Sequence, residues 1–281
     1  MRAAPVLVLH GGTGPTPSHQ RLQQIRRHLI RICDAAYSTL DNSSAVKTVV
    51  LAVQLLENDP LFNAGTGAML QQDGKARLTA SIMDGAKRRF AAVLNLERAK
   101  NPILVAQALL DQPDRLLAGH GATAFARSLG FPSWNPVTPS RWRQWQRHRQ
   151  ESHSTVGAVA LDRSGRLAAA TSTGGKGFER PGRVSDSGLP AGNYATEEVA
   201  IACTGIGEDI IDEGLAIRIA QRVLDGNSLK RASALTIREL TRANRKAGLI
   251  GLDKYGHIVW ITNLPMLFAV AKTPRRQLIS P

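Results

Sequence analysis

The sequence predicts an α+β fold in which a mixed sheet packs against helices. Three observations lead there. Apolar runs of strand length come in pairs around turn residues. Segments with apolar residues at helical spacing lie between those pairs. The strict strand–helix alternation of a purely parallel sheet is missing. At 281 residues the chain suffices for one large domain or two small ones, and a hydrophobic share of 43% is that of a globular protein. No internal repeat is present.

The first strand is Val6–Leu9, followed by the turn His10-Gly11-Gly12-Thr13-Gly14-Pro15. Leu22, Ile25, Leu29, Ile32 and Cys33 share one face of a helix running from about Pro17 to Leu40. A second helix over Ser44 to Asn58 stops at Asp59-Pro60, because proline has no N–H to continue the ladder. Phe62 to Gly67 forms a bend. Ala68–Gln71 and Ala76–Met83 are expected to pair around Asp73-Gly74, with Phe90–Leu94 the next strand. Short helices follow at Pro102–Leu110 and His120–Leu129. From 132 to 154 the texture is that of an exposed linker, with three prolines and the run Arg141-Trp142-Arg143-Gln144-Trp145. Val156–Leu161 and Leu167–Thr171 read as a hairpin around Arg163-Ser164-Gly165. The strand Val199–Thr204 leads into a helix from Glu208 to Leu224, closed by Gly226. A helix over Ser228–Ala243 and a last hairpin, Leu249–Leu252 with Ile258–Ile261, complete the series.

Composition excludes several classes. No run approaches the roughly 18–20 apolar residues that span a bilayer. The apolar stretch after Met1 is too short for a signal-peptide core, so a cytoplasmic location is expected. Cys33 and Cys203 form no CxxC pair and the seven histidines have no ligand spacing, so neither zinc nor a disulfide framework is indicated. The net charge of +14 suits anionic partners in general, and both sides of Thr155 carry an excess of Lys and Arg. Trp142 and Trp145 among arginines offer stacking to bases. Their place in the linker argues for a solvated segment instead, and nucleic acid is not expected as a partner.

The chemistry concentrates in the second half. Thr155 opens the apolar run Val156–Leu161 directly after the polar linker. A cut between Ser154 and Thr155 gives one residue both a hydroxyl nucleophile and a free α-amine. With an unperturbed pKa near ~8, that amine accepts a hydroxyl proton at neutral pH, whereas the amide nitrogen of an intact chain does not. Downstream stand Thr171-Ser172-Thr173-Gly174-Gly175, Pro181-Gly182-Arg183-Val184-Ser185-Asp186-Ser187 and Cys203-Thr204-Gly205-Ile206-Gly207-Glu208. An arginine fork suits a carboxylate and an aspartate suits an ammonium, so Arg183 and Asp186 together match an amino-acid zwitterion.

These segments, with His10-Gly11-Gly12, Leu56–Gly65 and Met83-Asp84-Gly85, span most of the chain. In this order they resemble the isoaspartyl peptidase/L-asparaginase family, the plant-type asparaginases among the N-terminal-nucleophile hydrolases. The resemblance implies a four-layer αββα sandwich forming one domain. It also implies self-cleavage at Ser154–Thr155 into an α subunit of residues 1–154 and a β subunit of 155–281, paired as (αβ)2. The reaction it implies is hydrolysis of β-aspartyl amides, isoaspartyl dipeptides first and L-asparagine second.

By the same resemblance Thr155 is the nucleophile, Thr173 orients it, and Thr204 with Gly205 forms the oxyanion hole. Arg183, Asp186, Gly207 and Asn63 bind substrate. No cofactor is required. A structural sodium ion is held by main-chain carbonyls of the loop containing Leu56, Glu57, Asp59, Phe62, Ala64 and Thr66. Ser154 stands where relatives carry glycine, which predicts slower processing. A glycosylasparaginase or a protease with a threonine nucleophile is the alternative within this fold. From a different class, the alternative is an uncut homologue that binds nucleic acid or a protein through its basic surface.

Overall fold

The computed structural model describes residues 3–147 and 155–280. Its frame is an eight-stranded sheet in the order β12-β11-β1-β5-β6-β2-β3-β4, all antiparallel except the parallel β3–β4 edge. The strands are β1 (Val6–Gly14), β2 (Leu78–Asp84), β3 (Arg89–Leu96), β4 (Leu116–Ala118), β5 (Val156–Leu161) and β6 (Leu167–Thr173), with β11 (Met266–Lys272) and β12 (Gln277–Ile279) at the other edge. A second sheet, ordered β10-β9-β8-β7, is built from β7 (Asn193–Ala195), β8 (Val199–Gly205), β9 (Ala247–Asp253) and β10 (Ile258–Thr262).

Side-chain alternation sorts the strand residues into layers. Leu7, Leu9, Val156, Ala158, Ala160, Ala168, Ala170 and Ile82 pack under α1 (His19–Tyr37), α2 (Ala45–Glu57) and α3 (Pro102–Leu109). Val6, Val8, Val159, Leu161, Leu167 and Ala169 face Ala200, Ala202, Ile250 and Leu252 of the second sheet. Val199, Ile201, Cys203 and Leu249 turn outward beneath α7 (Leu215–Leu224) and α8 (Leu229–Arg242). The order is therefore helix, sheet, sheet, helix, the four-layer sandwich expected. Alanines in the β5–β6 hairpin let α2 approach closely at native packing density. Ser18, Ser44 and Ser228 cap α1, α2 and α8 by accepting a backbone N–H three residues on.

Several expectations need correction. Ala68–Gln71 is not a strand. Its backbone bonds go instead to loops and a side chain: Met69 N to Asn63 Oδ1, Leu70 O from Phe178 N, and Gln71 N to Lys75 O. The single helix expected over Glu208–Leu224 breaks into α6 (Gly207–Asp212) and α7, because Gly214 adopts φ 54°, a left-handed conformation that stops a helix. Strands β11 and β12 follow a segment that carried no clear strand expectation.

Within 132–154, residues 139–146 form two turns of helix, α5 (Pro139–Gln146), capped by Thr138. They do not form irregular chain. The Trp145 indole donates to Gln71 O at 2.9 Å, and Trp142 stacks on it with ring centroids 5.0 Å apart. Arg141 Nε donates to Gly67 O at 2.6 Å. Short helix α4 (Gly119–Ser128) completes the chain. No described helix is long and apolar enough to cross a membrane.

Candidate active site

The β5–β6 hairpin places Thr155 next to Thr173. Val156 pairs with Ser172, and one further step of the antiparallel register sets Thr155 opposite Thr173. Alternation sends both toward the space between the sheets, where His10, Thr79, Ser81, Thr171 and Thr204 also point. The stacked apolar layer thus gives way at one end to a polar cluster. Thr155 is buried, and its Oγ1 lies 3.1 Å from Ser187 Oγ. Ser154, the other half of the expected cleavage site, lies outside the described residues.

Thr173 Oγ1 accepts the Gly175 N–H at 3.1 Å, fixing the turn after β6. Asn63 braces that turn from the other side. Its Nδ2 donates to Gly175 O at 2.6 Å, its own carbonyl accepts from Gly174 N, and its Oδ1 accepts from Met69 N at 2.8 Å. The Asn63 amide is therefore engaged in shaping the loop next to Thr173.

At the end of β8, Thr204 is fully buried, and its Oγ1 has no partner among the described residues. A buried hydroxyl without a partner costs about 1–3 kcal/mol, so such a group marks a place where a ligand or water belongs. Gly205 has φ 136°, and a Cβ there would meet Ala247 Cα at 2.8 Å. At Gly207 a Cβ would lie 2.7 Å from Arg183 Nη2 and 3.0 Å from Asp186 Oδ1. Only a residue without a side chain leaves that space open, and a cation, a carboxylate and the Gly207 backbone meet there.

Arg183 is held by Glu208, with Nε to Oε1 at 3.1 Å and Nη2 to Oε2 at 2.9 Å. Lys176 Nζ also reaches Glu208 Oε1, at 3.1 Å. Burial pushes the Glu208 carboxyl up, but the Arg183 bonds and charge outweigh it and bring it down to about 2. Asp186 sits in a 3-10 turn (Asp186–Gly188). Burial raises its carboxyl to about 6, against the Ser185 hydroxyl and the Arg183 charge. Its Oδ1 accepts from Ser185 Oγ at 3.0 Å, while Oδ2 is buried with no partner among the described residues. His10, packed against Gly157, is neutral: burial drives its imidazole down to about 3, only partly opposed by the Thr155 backbone.

The loop expected to hold a cation follows α2. Glu57 O accepts from Thr66 N at 2.8 Å, Leu56 O from Asp59 N and Asp59 O from Phe62 N. A Cβ at Gly65 would lie 2.6 Å from Glu57 O, and one at Gly67 would lie 2.9 Å from Phe62 O. Main-chain oxygens thus pack against these glycines more closely than any side chain would allow, and those of Leu56, Glu57 and Asp59 already accept backbone N–H groups. Neutral oxygens of this kind suit a hard cation of low charge. The Glu57 side chain points elsewhere, accepting from Ser172 Oγ at 2.7 Å and Ile103 N at 3.0 Å.

Sequence reasoning missed four residues here. Ser187 lies against Thr155 and Ser185 against Asp186, and both sat in a segment already singled out. Glu208 orients Arg183 from the final position of the Thr204 segment. Gln71, buried, accepts from Gly182 N at 3.2 Å and links α5 to the loop carrying Arg183. Gln71 had no local signal, because both partners are distant in sequence.

Comparison with known proteins matches most of the chain. The asparaginase family model matches residues 3–154 and 147–278. An isoaspartyl peptidase/L-asparaginase of Synechocystis sp. is 44% identical over 289 residues, covering 96% of this chain and 88% of that protein. One of Nostoc sp. is 45% identical over 279 residues, covering 91% and 88%. A plant-type L-asparaginase of Pyrococcus abyssi is 35% identical over 283 residues, covering 92% of each. The chain belongs to the asparaginase family, alongside these isoaspartyl peptidases/L-asparaginases.

Proposed function

We propose that this chain cuts itself before Thr155 and then hydrolyses β-aspartyl amides, isoaspartyl dipeptides first and L-asparagine second. The new α-amine of Thr155 accepts the proton of the Thr155 hydroxyl, which attacks the side-chain carbonyl of the substrate. Thr204 and the Gly205 N–H stabilise the oxyanion, a contribution of roughly 10²–10³ in rate for one such donor. The departing amine takes the proton back, leaving a β-aspartyl ester on Thr155 that water hydrolyses. Arg183 takes the α-carboxylate of the substrate, and Asp186 with the Gly207 carbonyl takes its α-ammonium. Thr173 and Asn63 position the nucleophile and the turn beside it.

A sodium ion on the main-chain oxygens of Leu56, Glu57, Asp59, Phe62, Ala64 and Thr66 would brace the loop that carries Asn63. The active form is a dimer of cleaved αβ units, (αβ)2.

The observation that carries this reading is the convergence of Arg183 Nη2 and Asp186 Oδ1 on the space that Gly207 leaves open, with the buried Thr204 Oγ1 of the preceding strand without a partner among the described residues. The hydroxyl suits an oxyanion and the carboxylate an ammonium. The test is mass spectrometry and ammonia release on the purified protein. Two chains, the second beginning Thr-Val-Gly-Ala, and activity on β-aspartyl substrates are expected. Thr155→Ala should give one chain and no turnover. A cut, active Thr155→Ala protein would overturn the assignment.

A further inference from the structure

We propose that Lys176 is a specificity-determining residue that favours β-aspartyl dipeptides over L-asparagine, by pairing with the free carboxylate of the departing amino acid. The proposal rests on the reading of Arg183 as the holder of the substrate α-carboxylate. A β-aspartyl dipeptide carries two carboxylates, one on the aspartyl Cα and one on the residue that leaves. L-Asparagine carries only the first. A site that separates these substrates by charge needs a second cation, set at the right spacing from Arg183.

Lys176 meets that condition. Its backbone is fixed beside Thr173, because both polar groups of the preceding residue are tied. Gly175 N donates to Thr173 Oγ1 at 3.1 Å, and Gly175 O accepts from Asn63 Nδ2 at 2.6 Å. The Glu179 carboxylate lies over the same turn and leaves no room for a Cβ on Gly175. From this anchor the lysine side chain crosses to Glu208, where Nζ lies 3.1 Å from Oε1. Arg183 Nε lies 3.1 Å from that same oxygen. The two cationic nitrogens are thus no more than about 6 Å apart. The carboxyl carbons of a β-aspartyl dipeptide are six bonds apart, which spans about 5–7 Å depending on the torsions. The lysine stem runs from the nucleophile side of the site to the α-carboxylate side, and its amine stands at the spacing of the second carboxylate.

The two cations differ in how firmly they are held. Arg183 grips Glu208 through Nε and Nη2, and its side chain is 15% exposed. Lys176 reaches Glu208 through Nζ alone and is 38% exposed. A single ion pair open to water is worth little, so Lys176 loses almost nothing by turning to a substrate carboxylate. Its ammonium also has three donor protons, of which Glu208 takes one. Arg183 is the fixed anchor, and Lys176 is the cation with donors and freedom to spare.

The experiment measures kcat/KM of the processed enzyme on three substrates: a β-aspartyl dipeptide with a free C-terminal carboxylate, the same dipeptide as its C-terminal amide, and L-asparagine. The readout is the acid-to-amide ratio, in which any general damage to Arg183 or to the nucleophile cancels. Lys176→Gln should lower this ratio about 3–10-fold, the effect of one partly exposed charge-assisted bond, and lower the ratio of acid dipeptide to L-asparagine by a similar factor. Lys176→Glu should lower both further, because the departing carboxylate then meets a like charge. An acid-to-amide ratio unchanged in Lys176→Gln, or equal in the two variants, overturns the proposal and leaves Lys176 as a support of Glu208. Should Lys176→Glu fail to be cut, Lys176→Gln decides alone. A cut, active wild type whose ratio is indifferent to Lys176 sinks this inference only; a wild type inactive on all three substrates sinks the proposed function and the inference with it.

Discussion

Asp186 gives the sharpest test of how stability and function oppose each other in this site. Its carboxyl is buried and raised to about 6 from an ordinary 3.8, with burial the main cause. A group whose folded pKa lies above its unfolded value contributes full stability below the unfolded value. That stability is lost as pH rises through the folded value. At about 1.4 kcal/mol per unit, a difference of roughly two units is worth about 3 kcal/mol. Wild-type Asp186 should therefore cost about 3 kcal/mol more at pH ~8 than at pH ~3.5.

Asp186→Asn removes the titration while its Oδ1 keeps the bond from Ser185 Oγ. The comparison is cleanest in a Thr155→Ala background, where both proteins remain a single chain. Melting temperatures measured from pH 3.5 to 8 should show Asp186→Asn gaining on its parent as pH rises. A gain of about 3 kcal/mol is roughly 6–12 °C for a chain of this size. The gain should appear between about pH 4 and 6 and stay level above that window. A gap that is constant across the range would refute the claim that this carboxylate is held charged against burial. In the Thr155 background the same substitution should abolish turnover, since the ammonium loses its counter-charge.

Three further outcomes follow from the geometry. Glu208→Gln keeps the shape of the Arg183 partner but removes its charge, so KM should rise about 3–10-fold with kcat within about two-fold; an unchanged KM would deny Glu208 its orienting role. Gly157→Ala drives a Cβ into the His10 ring, with Ala202 only 3.1 Å from that added carbon, and should cost about 1–3 kcal/mol in urea unfolding, whereas a neutral result would mean that the layer at His10 is loosely packed. Trp145→Phe removes the bond to Gln71 O and should cost about 1 kcal/mol, with faster amide exchange confined to residues 67–75 and 178–183; exchange unchanged there would detach α5 from the Arg183 loop.

What the sequence revealed and what it hid divide along physical lines. The β5–β6 hairpin was legible because its turn residues and apolar runs are local, and its register then set Thr155 beside Thr173 without further information. Helices α1, α2 and α8 were legible because each carries a serine cap and an apolar stripe. Strand β11 was harder to see: it is placed by pairing with β1, more than 250 residues earlier in the chain, and the short bend at 263–265 before it leads from one sheet to the other and makes no hairpin. The break at Gly214 was missed because a glycine inside an apolar periodic run is equally compatible with a continuous helix until its φ is known. In α5, proline, arginine and tryptophan gave the composition of a linker, while its order comes from contacts to residues 67 to 71 that no local window contains.

The candidate site shows the same divide in finer grain. Residues proposed to act by their own chemical type, Thr155, Arg183 and Asp186, stand out from the sequence because their chemistry is unusual for their surroundings. Residues that act by holding others, Ser185, Ser187, Glu208 and Gln71, do not, because a serine in a turn or a glutamine in a loop is ordinary by itself. What distinguishes them is that each places a hydrogen-bonding atom within about 3 Å of a residue of the proposed site or of the loop that carries it. Among the described residues Thr204 Oγ1 and Asp186 Oδ2 find no partner, while Arg183 is committed to Glu208 and the Ser185 hydroxyl to Oδ1. Two vacant oxygens at such a site are stable only if the surrounding bonds prevent collapse onto them. On this argument the supporting residues are what keep the pocket receptive to substrate, and loss of any one should appear first as a reordering of these free oxygens.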